Sequence, residues 1–92
     1  MPYIPQSDRP QYDTLIAELG RLLAQQPPEK RKGHGNYVIT QILRSAWVPS
    51  SGAESYSNFA DIISTLECAK LEMYRRWVAA YEDKAIAKNR DL

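Results

Sequence analysis

Apolar residues recur every three or four positions through most of the chain, and three such stretches stand apart. Between Pro10 and Pro27-Pro28, Tyr12, Leu15, Ile16, Leu19, Leu22 and Leu23 define one narrow stripe and predict an amphipathic helix over 9–26. Pro10 suits a first helical turn, Gly20 weakens the interior and the proline pair ends the pattern. A second helix is expected over 36–48, with Asn36 as its N-cap. Val38, Ile39, Ile42, Leu43 and Ala46 share one face, Tyr37, Gln41 and Arg44 lie on the other, and Pro49 and Gly52 break the pattern. The third pattern begins at Ser57 or Asn58 and persists to about Lys88, a helix over 58–88. Its stripe holds Phe59, Ile62, Ile63, Leu66, Met73, Trp77, Ala80 and Tyr81, and Lys70 falls near the middle.

The remaining segments lack such a period. Pro2 and Pro5 flank Tyr3 and Ile4 and favour an extended arm over 1–8. The stretch "EKRKGHGN" is polar, basic and glycine-bearing and reads as a loop, while "PSSGAES" at 49–55 has a linker's composition. No segment alternates with period two. The expectation is an all-α fold, a three-helix domain spanning 1–92 with an extended N-terminal arm and a long C-terminal helix.

Size makes the third helix unusual. About 30 residues of α-helix measure ~45 Å, whereas a compact domain of 92 residues is only ~30 Å across. A chain this short also buries only roughly 60–65% of its unfolded surface, so its core is small. The overhang carries Tyr74, Trp77 and Tyr81 and needs a cover, either from the proline-rich arm or from a second subunit. A homo-oligomer, a dimer through this helix, is the partner expected, with Met73, Tyr74, Trp77 and Tyr81 as contact residues.

Composition narrows the classes further. Hydrophobic residues at 43% and charged residues at 25% are ordinary for a globular protein. The formal charge of +1 provides no global basic field, which argues against nucleic acid as the partner. One cysteine, Cys68, forms no internal disulfide and fits a reducing compartment. The opening "MPYIPQSDRP" lacks the basic and apolar regions of a signal peptide, and no window approaches a bilayer span. A soluble, cytoplasmic protein is expected.

Lys70 raises the question of chemistry. Glu67 lies three residues back, within pairing distance on a helix, and Tyr74 stands one turn on. These three side chains could bind an anionic small molecule or a nucleotide, or shift a proton. Alternatively, Lys70 lays its methylenes along the stripe and pairs with Glu67 to fix packing register. Glu72 with Arg75 and Arg76 at i+3 and i+4 reads as a solvated, salt-bridged face. Lys30, Arg31 and Lys32, with His34, precede a helix N-terminus in a glycine-bearing stretch, a second place for an anion, although no Walker spacing is present. Carboxylate pairs of the E-x-x-E type, which would clamp magnesium on one helix face, are missing: Lys70 follows Glu67 and Arg75 follows Glu72 at that spacing. No metal site, cofactor or catalytic residue is expected.

Four blocks carry a resemblance: "MPYI" with "DRPQYD", "NYVIT" at 36–40, "LECAKLEMYRR" at 66–76 and "YEDKAIAKN" at 81–89. With them the chain resembles a small family of uncharacterised prokaryotic and phage proteins, a domain of unknown function. The resemblance implies no activity. It implies a shared polar set of Asn36, Tyr37, Glu67, Lys70, Tyr74, Arg75, Tyr81, Glu82 and Asp83. The chain departs from the family pattern at Ala80, where a proline precedes the tyrosine, and at Arg90, where a glycine follows the asparagine.

Overall fold

The structure, a computed structural model, describes residues 3–92. It is all-α. A 3-10 turn, Gln6–Asp8, leads into α1 (Pro10–Ala24) and α2 (Pro28–Trp47), followed by α3 (Tyr56–Met73), a π turn (Tyr74–Val78) and α4 (Ala79–Asn89). The last three form one long C-terminal helical run of about 34 residues. The chain divides into two compact units, Tyr3–Ile62 and Ile63–Leu92, with the division inside α3. Of the arm expected over 1–8, Met1 and Pro2 lie outside the described residues, Tyr3–Pro5 lack regular structure and the rest is the 3-10 turn.

In the first unit, Pro10 occupies the start of α1, where its missing N–H loses no hydrogen bond, and Asp13 and Arg21 complement the helix dipole at its two ends. The helix stops at Ala24, two residues short of the expected 26. Pro27 is extended at φ −55°, ψ 143°, and Pro28 opens α2 with the backbone angle a first turn needs.

That start is eight residues earlier than the expected Asn36. The stretch read as a loop is helical, and Asn36 lies in a helix interior instead of capping one. Three interactions explain this. The Lys30 and Arg31 N–H groups both donate to the Pro27 carbonyl, at 2.9 and 3.1 Å. Glu29 sits in the first turn, where its charge complements the dipole. Most tellingly, the Arg31 guanidinium donates to the carbonyls of Leu23 (3.3 Å), Ala24 (3.1 Å) and Gln26 (3.1 Å), tying α2 to the end of α1 and adding to the Gln26 N–H that the Leu23 carbonyl already accepts. This anchoring offsets Gly33 and Gly35, which cost about 1 kcal/mol each relative to alanine in a helix interior.

The linker ends in a cap. Ser55 Oγ accepts the Asn58 N–H at 3.0 Å, and the Asn58 side chain donates to the Ala53 carbonyl at 2.7 Å. Ser55 is therefore the N-cap of α3, replacing the expected Ser57 or Asn58, and the helix begins at Tyr56.

Within the long run the Ala79 N–H donates to the Tyr74 carbonyl, five residues back, which defines the π turn. The extra residue in that turn retards the helical phase by about one residue, ~100°. The expected stripe assumed an unbroken α-helix. The π turn instead rotates Ala80 off it, keeps Tyr81 on it and brings Val78 and Ala85 into line with Ile63, Leu66 and Met73. Past Asn89, Arg90 adopts φ 70°, ψ 152°, the left-handed side of backbone space where glycine is at ease.

Very little is buried. Val48, 7% exposed, is the one buried hydrophobic side chain among the described residues. Leu19, Leu23, Val38, Leu43 and Trp47 are only half-buried. No helix among the described residues is long and apolar enough to cross a membrane.

Candidate functional site

The residues singled out for function lie mainly on one stretch of the second unit, from Leu66 to Tyr81. Helical spacing sets them there: i+4 and i+3 steps from Leu66 lead through Lys70 to Met73 on one side of the helix, and Trp77 lies in the π turn that follows. Leu66, Met73, Tyr74, Trp77, Val78 and Tyr81 are all exposed, Trp77 at 66% and Tyr81 at 72%. Indole and phenol rings in water on adjacent turns form an exposed apolar surface.

Lys70 is not in a cleft. Its Nζ stands 3.3 Å from Glu67 Oε1, as the i+3 spacing anticipates, but the two side chains are 70% and 54% exposed. In that setting the pair is screened by solvent and contributes a few tenths of a kcal/mol. Tyr74, one turn on, is likewise exposed. The three side chains share a helix face without walls around them.

Glu72 and Arg75 make a different pair. Arg75 Nη2 lies 2.5 Å from Glu72 Oε1, with the glutamate side chain only 20% exposed and the arginine 69%. The sequence grouped them as a solvated face, and the partial burial of Glu72 is the feature it missed. No residue-type pattern announces that burial, because it depends on what the folded chain brings near.

The second candidate anion site is dispersed. Lys30, Arg31 and Lys32 lie on successive positions of α2, so their side chains diverge by about 100° each. Arg31 is committed to the end of α1. A shallow open depression elsewhere on α1 is lined by Asp13, Thr14, Ala17, Glu18 and Arg21, a mixed-charge lining on one helix face. Sequence reasoning did not select it. Cys68 is exposed, and no group of three His, Cys, Asp or Glu side chains among the described residues could hold a metal ion.

The match to a known family covers residues 1–92, and its description is a domain of unknown function, DUF6899. The chain belongs to DUF6899. No curated protein and no solved structure matches it. For the polar set that the resemblance implied, the DUF6899 chain places Asn36 and Tyr37 on α2, and Glu67, Lys70, Tyr74, Arg75, Tyr81, Glu82 and Asp83 along the long helical run. Seven of these nine positions therefore fall on the element that also carries the exposed rings.

Proposed function

We propose that this DUF6899 protein is a self-associating helical assembly module whose contact surface is the apolar side of the long helix. The observation that carries this reading is the exposure of Met73, Trp77, Val78 and Tyr81 in a chain with one buried hydrophobic side chain among its described residues. Folded domains are stable because apolar burial outweighs chain entropy, and covering these exposed side chains in a contact adds to that burial. Lys70 then lies within the contact and Glu67 on its flank, where a charge pair fixes register more than it adds affinity. Size-exclusion chromatography with light scattering at micromolar concentration tests the proposal: a mass of at least twice 10.5 kDa supports it, and a single 10.5 kDa species defeats it.

A second reading has its own support. The Glu67–Lys70 pair and the Tyr74 hydroxyl are open to solvent, so a phosphate or nucleotide can reach Lys70 without rearrangement of the helix. A thermal-shift screen of phosphates and nucleotides, run beside Lys70→Met, distinguishes the two. Stabilisation of the parent chain that disappears in Lys70→Met favours anion binding, and no stabilisation by any anion removes it.

A further inference from the structure

We draw no further inference here: the strongest candidate, the exposed apolar face of the long helical run around Met73, Trp77 and Tyr81, belongs to the surface already described, and nothing in the structure shows what covers it.

Discussion

Trp77→Ala separates a surface that is merely exposed from one that is used. An aromatic side chain presents about 150–250 Å², so at 66% exposure Trp77 leaves roughly 100–165 Å² in water. At ~25 cal/mol per Å², covering that area is worth about 2.5–4 kcal/mol per copy, and a symmetric pair covers it twice. Half coverage still gives about 3–4 kcal/mol per dimer, a rise in dissociation constant of 10²–10³-fold. An isolated helix responds in the opposite direction: alanine is the better helix former by a few tenths of a kcal/mol, and an exposed substitution is otherwise within about ±0.5 kcal/mol. Sedimentation equilibrium from 1 to 100 µM (about two decades around the estimated shift), with circular dichroism on the same samples, reads both effects. The account expects weakened association together with loss of helix on dilution. Unchanged association and unchanged or increased helicity at every concentration would refute the reasoning.

Other outcomes follow from the local structure. Gly33→Ala and Gly35→Ala should each stabilise α2 by about 1 kcal/mol in thermal melts, since an added methyl meets nothing within 4 Å at either position; a loss at Gly35 would mean that another chain packs against its backbone. Ser55→Ala removes the oxygen that accepts the Asn58 N–H and should cost about 1 kcal/mol, visible as faster amide exchange at Asn58 while exchange in α1 is unchanged. Arg90→Gly should relieve about 1 kcal/mol of backbone strain at φ 70°, slowing amide exchange in the last turn of α4; faster exchange there would contradict the strain. Lys70→Met gives up an exposed ion pair worth a few tenths of a kcal/mol and fills the gap in the stripe, so association should hold or tighten in sedimentation runs, and a tenfold weakening would show that the Glu67–Lys70 pair matters far more than its exposure implies.

The three-helix arrangement was legible because period and punctuation agree in it. The Tyr12–Leu23 stripe, the proline pair and the run from Phe59 onward carry their signals in single residues and short spacings. The start of α2 was misread for an identifiable reason. Glycines and charges at 30–35 look like a loop, and what holds them helical is the reach of Arg31 back to three carbonyls, a contact between elements. A local signal does exist: Pro28 followed by Glu29 is a helix-start pattern, so the proline pair both ends α1 and opens α2. At the site, the Glu67–Lys70 contact was visible at i+3 spacing, but its openness to solvent was not, because burial depends on neighbours that a helical wheel omits. The π turn had no sequence signature, and it reassigned Ala80, Val78 and Ala85 relative to the stripe.

The central claim is that this chain gains its stability from association. The concentration dependence of its thermal midpoint tests that most directly, since for an obligate dimer each tenfold dilution removes about 1.4 kcal/mol of stability. The account predicts a midpoint that falls steadily as the protein is diluted. A cooperative transition at one temperature across the whole concentration range, from a species of 10.5 kDa, would contradict it.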